Sequence, residues 1–227
     1  MNFEEKIKEC ELNLNQIKHY DPDPFYVNYF FQLFLKSVND VYDGIFEELD
    51  KNFGLFVAGK HKEENVYEKA LLKKDEKALE FFIWFKEKME MEHKAPFPRF
   101  IKDVLEFQKN FKKLPKIKIM MRSKERYLGD INQEILVNLT NGKLRAKEEL
   151  EIEMKRNLPI FLQIINHKRT LENKPKINQK QTTVSAFMQI GEKKEFEIYY
   201  ACKIYIPVLK RILTESEEKI RHLSRWN

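Results

Sequence analysis

Charged side chains make up 34% of this 227-residue chain and aromatic side chains 13%, and the formal net charge is +6. The six glycines are too few for a glycine-rich barrel or propeller, so they favour helices instead. The apolar content is too high for a disordered chain, and the length suits one large domain or two small ones.

The sequence shows no feature of a secreted or membrane-spanning protein. Cys10 and Cys202 are the only cysteines, and both lie in helical patterns, so we expect free thiols in a reducing compartment. The N-terminal residues are acidic and lack the apolar core of a signal peptide. Lys36 and Asp40 interrupt the most apolar stretch before it reaches the length of a membrane span. The sequence therefore predicts a cytoplasmic protein that does not bind a membrane.

The first half of the chain repeats apolar residues at helical spacing. Its most aromatic stretch follows Asp23, which can cap a helix, and Pro24, which suits the first helical turn. The apolar stripe of this stretch comprises Tyr26, Val27, Phe30, Phe31, Phe34, Val38 and Val41. Asp75 is a second capping residue, and Pro115 ends the last helix of this half. We predict helices over residues 2–19, 24–52, 62–73, from Asp75 to the Ala95-Pro96 break, and 98–113, which together form a bundle.

At residue 116 the period changes from that of a helix to that of a strand. Residues 116–122 alternate apolar and basic side chains, and residues 134–139 and 183–190 are further candidate strands. Helical patterns return over residues 147–173 and 198–223, and we expect Pro207 to kink the second of them. The sequence thus predicts a mainly α fold. A helical bundle covers residues 1–113, and a small α+β extension with two or three short antiparallel strands covers residues 114–227. We expect that the long last helix of the extension can pack back on the bundle.

Positive charge is concentrated in the middle of the chain. Residues 114–182 hold 15 basic and 8 acidic residues, whereas residues 1–113 hold 19 basic and 22 acidic ones. Such an excess is typical of a surface that binds nucleic acid or another polyanion, although a solvated lysine-rich surface has the same composition. The basic residues on or beside the predicted strands and at the end of a predicted helix form the candidate nucleic-acid site. These residues are Lys116, Lys118, Arg122, Arg126, Lys143, Arg145, Lys168 and Arg169.

The sequence contains none of the spaced motifs that bind cofactors or metals. The glycines are scattered, so we expect no phosphate-binding loop, and the two cysteines are too far apart in sequence to indicate a zinc site. Glu90 and His93 have the spacing to share an ion, but no matching pair occurs on another helix. We interpret the acidic cluster Glu87–His93 as solvated charge at a helix end, and we predict no cofactor, no metal and no catalytic residue.

A polar patch of Asn39, Asp40 and Asp43 lies on the aromatic helix. These side chains either face inward as a functional site or form the solvated side of the helix. The solvated side is the simpler interpretation, because carboxylates are seldom buried without a partner.

Three stretches of the helical half carry a resemblance to a known family. They are the aromatic run Tyr29–Val41, the Trp-containing run Phe81–Phe85, and Arg99–Val104. On these stretches, residues 24–114 resemble HEPN domains, the helical modules found in many RNA-cleaving toxins and defence proteins. The nuclease members of that family carry an Arg, often followed by Asn, and then a His a few residues later.

The stretch where the resemblance would place this pair is Asp103–Phe111. Leu105 stands at the position of the Arg, and no His follows it. The resemblance therefore implies no ribonuclease activity by the usual mechanism of the family. It implies instead a binding or dimerising module.

These observations leave three hypotheses for the function. The first is a noncatalytic protein that binds RNA or another polyanion through the basic extension. The second is a protein–protein or self-association module, such as a homodimer. The third is an enzyme whose site is built around Asp40, Asp43 or the cluster Glu87–His93.

Overall fold

The computed structural model describes residues 3–123, 135–136, 159–160, 162–178, 180, 182–190 and 195–225. Its helices are α1 (Phe3–Tyr20), α2 (Pro24–Phe53), α3 (Glu63–Lys73), α4 (Glu76–Glu92), α5 (Pro96–Phe111), α6 (162–171) and α7 (Ile198–Ser224). Its strands are β1 (Ile117–Ser123), β2 (Ile135–Leu136), β3 (Thr182–Met188) and β4 (Phe196–Glu197). The predicted fold class, mainly α with a small antiparallel sheet, is confirmed.

The helix starts follow the capping residues that the sequence indicates. The Asp23 carboxylate accepts hydrogen bonds from the backbone N–H groups of Phe25 and Tyr26, at 2.9 and 3.2 Å. At the start of α4, the Asp75 carboxylate accepts from the N–H of Ala78 at 2.9 Å. Each cap satisfies donors that have no partner within the first turn of a helix, so both helices begin where the sequence predicts.

The described strands form one antiparallel sheet in the order β2-β1-β3-β4. Strands β1 and β3 pair along their whole length, from Ile117 opposite Met188 to Ser123 opposite Thr182. These two strands confirm the predicted strands at 116–122 and 183–190. The described residues include only part of two further predictions. They contain residues 135–136 of the strand predicted at 134–139, and the later part of the helical pattern at 147–173. Strand β4 was not predicted, because two residues cannot show an alternating pattern.

The residues fall into two compact units. The helical unit comprises Met1–Asn15, Phe30–Leu114 and Tyr200–Asn227, and the sheet unit comprises Gln16–Tyr29 and Pro115–Tyr199. Both units are sets of residues in mutual contact, whereas the predicted domains 1–113 and 114–227 were continuous stretches, and that division stays a prediction. The core of the helical unit is rich in aromatic rings. Its fully buried rings are Phe31, Phe34, Phe46, Phe81, Phe100 and Tyr205.

Candidate functional site

Helices α2, α3, α4 and α5 line a cavity of about 670 Å³ in the helical unit. Cavities of roughly 300–1,000 Å³ are typical of sites for small molecules. The wall is mixed: helices α2, α4 and α5 contribute apolar side chains, and α2, α3 and α5 contribute amides and charged groups. An apolar wall with a few polar groups is the usual composition of a ligand site.

The apolar wall of the cavity contains rings that hold one another in place. Phe46 and Phe85 meet edge to face with ring centroids 5.2 Å apart, and Tyr42 meets Phe85 at 6.4 Å. Phe82, which does not line the cavity, stacks on the outer side of Phe46 at 5.6 Å. Edge-to-face and offset pairs are the favourable arrangements of aromatic rings, so this wall has little freedom to rearrange.

Asp43 is the polar group that most sets the character of the cavity. It lies on α2 one turn beyond Asn39, and both side chains line the cavity. Partial burial raises the pKa of the Asp43 carboxyl, and the negative charge of Asp40 raises it further, while Lys62 opposes the change. Within the described parts of the chain, no hydrogen bond or ion pair closer than 4 Å reaches this carboxyl. Asp43 therefore offers the cavity a half-buried acceptor without a partner.

The mouth of the cavity carries charges of both signs. Glu64 on α3 forms an ion pair with Lys109 on α5. This hydrogen-bonded pair lowers the pKa of Glu64 and raises the pKa of Lys109. The pKa of Glu63 is raised by partial enclosure of its carboxyl and then by Glu64, but the residue as a whole is exposed, whereas Asp43 is half-buried.

A chain of hydrogen bonds runs from the cavity wall into the core. The Tyr42 and Tyr205 hydroxyl oxygens lie 2.5 Å apart, and the Tyr205 hydroxyl lies 3.0 Å from Nε2 of His93. His93 Nδ1 lies 2.7 Å from the carbonyl oxygen of Met89, so Nδ1 must be the donor. In the neutral ring, Nε2 then accepts from Tyr205, and the Tyr205 oxygen accepts from Tyr42. Burial lowers the pKa of His93, which favours this neutral form.

The sequence did not indicate this chain of hydrogen bonds. Its presence changes the interpretation of the acidic cluster Glu87–His93. Glu87 and Glu90 are exposed, as expected for solvated charge. Glu92 and His93 are buried, which corrects the interpretation for these two residues. Their partners lie on α7, more than 100 residues away in sequence, where local spacing could not reveal them. No group of three or more potential metal ligands occurs among the residues that the structure describes.

Glu92 belongs to a partly buried ion network next to His93, in which Lys88 and Glu92 are buried and Arg211 is exposed. Its carboxylate accepts from Lys88 Nζ at 2.7 Å and from Arg211 Nε and Nη2 at 2.7 and 2.5 Å. Lys88 also contacts Glu215, at 2.7 Å. The hydrogen bonds from Arg211 lower the pKa of Glu92 to about 2, against the opposing effect of burial. This network joins α4 to α7 and does not line the cavity.

The other predicted acidic residue of α2, Asp40, does not line the cavity. It lies 3.6 Å from Lys6 on α1, and its charge reaches Asp43 only at longer range. The polar patch predicted at Asn39, Asp40 and Asp43 is therefore divided. Asn39 and Asp43 face the cavity, whereas Asp40 pairs with the first helix.

The predicted nucleic-acid residues have different environments in the structure. Lys116 and Lys168 are exposed. Lys118 is half-buried, and its Nζ binds Gln189 and Glu195 at 2.9 and 2.7 Å. Arg169 is 5% exposed, and its Nε donates to the carbonyl of Pro175 at 2.6 Å, which fastens the loop after α6. Arg122 lies in β1, and Arg126, Lys143 and Arg145 lie outside the described residues.

The stretch Asp103–Phe111, where the HEPN resemblance would place catalytic residues, lies in α5. It contributes Leu105, Glu106, Gln108 and Lys109 to the cavity wall. Leu105 therefore occupies a position that faces the cavity, although its side chain cannot take part in acid–base chemistry.

Comparison with known proteins identified no relative. No protein-family model matches the chain, and no curated protein or solved structure is significantly similar to it. Among the helices that the structure describes, none combines the length and the apolar character needed to cross a membrane. The resemblance to HEPN domains thus stays an expectation from the sequence.

Proposed function

We propose that this chain is a binding protein that holds a small organic ligand in the cavity between α2, α3, α4 and α5. A single observation carries the proposal. A half-buried carboxyl that accepts no hydrogen bond from the described residues, that of Asp43, lies in a cavity of about 670 Å³ whose wall is partly aromatic. The charges of Lys62 and Lys60 offset part of the cost of burying the Asp43 carboxyl, and a ligand can supply the hydrogen-bond donor that the carboxyl lacks.

The support comes from the way in which apolar and polar groups are combined. Tyr42 and Leu105 are half-buried in the cavity wall, and they offer an apolar surface on which a ligand can exclude water. Asn39 and Asp43 add hydrogen-bonding groups from one side of that surface, which would orient the ligand. Groups of this kind can bind and position a ligand, and this combination supports the proposal of a binding function.

Screening a library of small neutral, anionic and cationic compounds by ligand-observed NMR tests the proposal. We expect binders for the wild-type protein, and we expect them to be weakened or lost in L105W, which places a bulky indole ring in the cavity. The matched control is L72W, because Leu72 is 70% exposed and does not line the cavity. Q108W is a second filling variant in case L105W does not fold. Binding that survives in both filling variants would contradict the proposal, as would a library without any binder.

A second candidate function is binding of RNA or another polyanion by residues 114–182. The observation that favours it is the excess of 15 basic over 8 acidic residues in this segment. Lys116 and Lys168 are exposed there and can reach phosphate groups. Binding of this kind weakens steeply with salt, because it releases counterions from the nucleic acid.

A further inference from the structure

We propose that the ligand of the α2–α5 cavity is an organic cation, an ammonium group carried on an aromatic or alkyl body. The inference rests on the proposed ligand-binding function and names the chemical class of the ligand. It follows from where the charges of the cavity lie, from the rings beside Asp43, and from the state of the lysines.

One negative group has the most enclosed position among the charges of the cavity. Three lysines and four carboxylates line the cavity, namely Lys36, Lys62, Lys109, Asp43, Glu63, Glu64 and Glu106. Of these seven residues, Asp43 is half-buried and the other six are exposed, although the Glu63 carboxyl is partly enclosed. Charges that are withdrawn from water interact more strongly, because water screens them less. The strongest electrostatic feature inside the cavity is therefore a carboxyl, which attracts a cation.

The lysines do not provide a comparable site for an anion. Lys109 is already paired with Glu64 across the mouth. Lys36 and Lys62 are exposed, so their ammonium groups stay hydrated. An anion drawn to them would lie at the surface, and deeper entry would bring it against Asp43.

The rings favour a cation by a second interaction. Tyr42, Phe46 and Phe85 line the cavity with Asp43, and Tyr42 is the half-buried ring of the three, whereas Phe46 and Phe85 are 2% and 3% exposed. The face of an aromatic ring is negative, and it attracts an ammonium group. A carboxyl one residue from the half-buried ring of Tyr42 is therefore complementary to a positive group on an apolar body.

Three probes of nearly equal size test the charge preference. They are 2-phenylethylammonium chloride, the neutral 2-phenylethanol and sodium 3-phenylpropanoate. W226F leaves Trp84 as the single tryptophan, and Trp84 contacts Phe85 of the cavity wall with ring centroids 6.5 Å apart. Its fluorescence reports binding, and proton NMR of each probe supplies an independent measurement. We expect the ammonium probe to bind at least about tenfold more tightly than the alcohol, and the carboxylate probe to bind more weakly than the alcohol.

Two variants of α2 test whether Asp43 causes the preference for the ammonium probe. D43N keeps the shape of the side chain and removes its charge, so we expect it to weaken binding of the ammonium probe about tenfold and to change binding of the alcohol less than about twofold. E47Q is the matched control, because Glu47 lies one turn further on the same helix, pairs with Lys51 and does not line the cavity. It should leave the affinity for both probes unchanged.

The outcomes separate the two proposals. If the alcohol or the carboxylate probe binds as tightly as the ammonium probe, the cation preference is wrong but ligand binding in the cavity stands. If none of the probes binds, the cation inference is overturned, and the library screen with L105W decides separately on the proposed function. If D43N does not fold, the order of affinities for the wild-type protein still decides.

Discussion

The hydroxyl oxygens of Tyr42 on α2 and Tyr205 on α7 lie 2.5 Å apart, although 163 residues separate them in sequence. Tyr205 is fully buried and donates a hydrogen bond to His93, so a polar chain crosses the apolar core of the helical unit. Because Tyr42 lines the cavity, this chain also fixes one ring of the cavity wall. A buried polar network of this kind is stable only when every member has a partner.

Y205F should therefore destabilise the protein although it removes a single oxygen atom. It leaves the Tyr42 hydroxyl without its acceptor and His93 Nε2 without its donor. We expect the free energy of unfolding to fall by about 1–3 kcal/mol in urea denaturation. Y67F is the control, because Tyr67 is partly exposed, and it should change the stability by less than about 0.5 kcal/mol. Equal stability of Y205F and the wild type would show that the chain of hydrogen bonds contributes nothing.

Glu92 should make the stability depend on pH below the ordinary carboxyl range. Its pKa in the folded protein is about 2, below the usual 4.5, chiefly because Arg211 and Lys88 donate to it. A lowered carboxyl pKa adds stability that is present above about pH 4.5 and is lost as the pH falls toward 2. E92Q should lower the free energy of unfolding at neutral pH by about 2–4 kcal/mol, because it removes the negative charge that pairs with the buried Lys88.

Urea denaturation of the wild type, E92Q and E90Q at a series of acidic pH values tests this expectation, because it gives the free energy of unfolding at each pH. Glu90 is exposed on the same helix, so E90Q should follow the wild type. The loss of stability between pH 4.5 and 2 should be smaller in E92Q, because its amide does not titrate. Parallel curves of stability against pH for E92Q and the wild type would rule out Glu92 as the source of the acid sensitivity.

Asp43 should couple binding of the ammonium probe to proton release. Its pKa is raised by partial burial, so a proton competes with the cation, which requires the ionised form of Asp43. The affinity should fall as the pH falls through this raised pKa, and the binding heat should vary with the ionisation enthalpy of the buffer. The charged groups around Asp43 are Asp40 on α2, Lys60, His61 and Lys62 before α3, and Lys36, Glu63, Glu64, Glu106 and Lys109 along the same cavity.

Calorimetry at two pH values in two buffers measures this coupling. D43N should bind weakly at both pH values and release no proton. Because D43N also removes an unpaired, half-buried charge, we expect its thermal midpoint to equal or exceed that of the wild type. A wild-type affinity that does not change with pH in this range would contradict the role of Asp43.

Asp21 should make the stability of the sheet unit depend on pH. Its carboxylate accepts from the backbone N–H of the buried Ala186 in β3, at 2.7 Å. Burial raises the pKa of Asp21 to about 7, Glu197 adds to the increase, and hydrogen bonds from Ala186 and Ser185 oppose it. A raised carboxyl pKa gives stability that is full below the unfolded pKa and is lost as the pH rises through about 7.

Amide hydrogen exchange at Ala186 measures this effect. D21A removes the acceptor and should lower protection at this amide by about 1–3 kcal/mol. D21N keeps an oxygen acceptor and does not titrate, so its protection should vary less with pH around 7 than that of the wild type. Unchanged protection in D21A would show that the hydrogen bond is not needed.

Lys116 and Lys168 should contribute to any binding of RNA by the basic segment. K116A/K168A removes two exposed charges, so the slope of log affinity against log salt should become shallower by about one to two units. K8A/K74A removes two exposed charges of the helical unit and serves as the control. Fluorescence anisotropy with a labelled single-stranded RNA measures both. Absence of binding at low ionic strength would remove the polyanion hypothesis.

Local chemistry explains how much of the fold could be predicted. Asp23 and Asp75 cap helices in the structure because capping depends on residues within one turn. The change of period at residue 116 is likewise local, and β1 begins at Ile117. The cavity depends instead on how far apart neighbouring helices lie, so the sequence could identify Asn39 and Asp43 but could not choose between the cavity and the solvated side.

Long-range partners explain what could not be predicted. We interpreted Glu92 and His93 as solvated from the sequence. Arg211 and Tyr205, which bind them in the structure, lie on the last helix, where local spacing does not reveal them. Arg169, a predicted nucleic-acid residue, is by contrast buried by a local partner, the Pro175 carbonyl six residues later, and its role in binding stays a prediction. The predicted homodimer stays a prediction, which light scattering at several concentrations would test.

The most direct test of ligand binding in the cavity is an NMR titration of methyl-labelled methionines. Met89 lines the cavity, and Met91 on the same helix is 53% exposed and lies outside it. M89L assigns the first signal and M91L the second. We predict that 2-phenylethylammonium shifts the Met89 methyl signal to saturation, leaves that of Met91 in place, and has no effect on Met89 in L105W. A Met89 signal that stays fixed, or one that moves equally in L105W, would contradict the account.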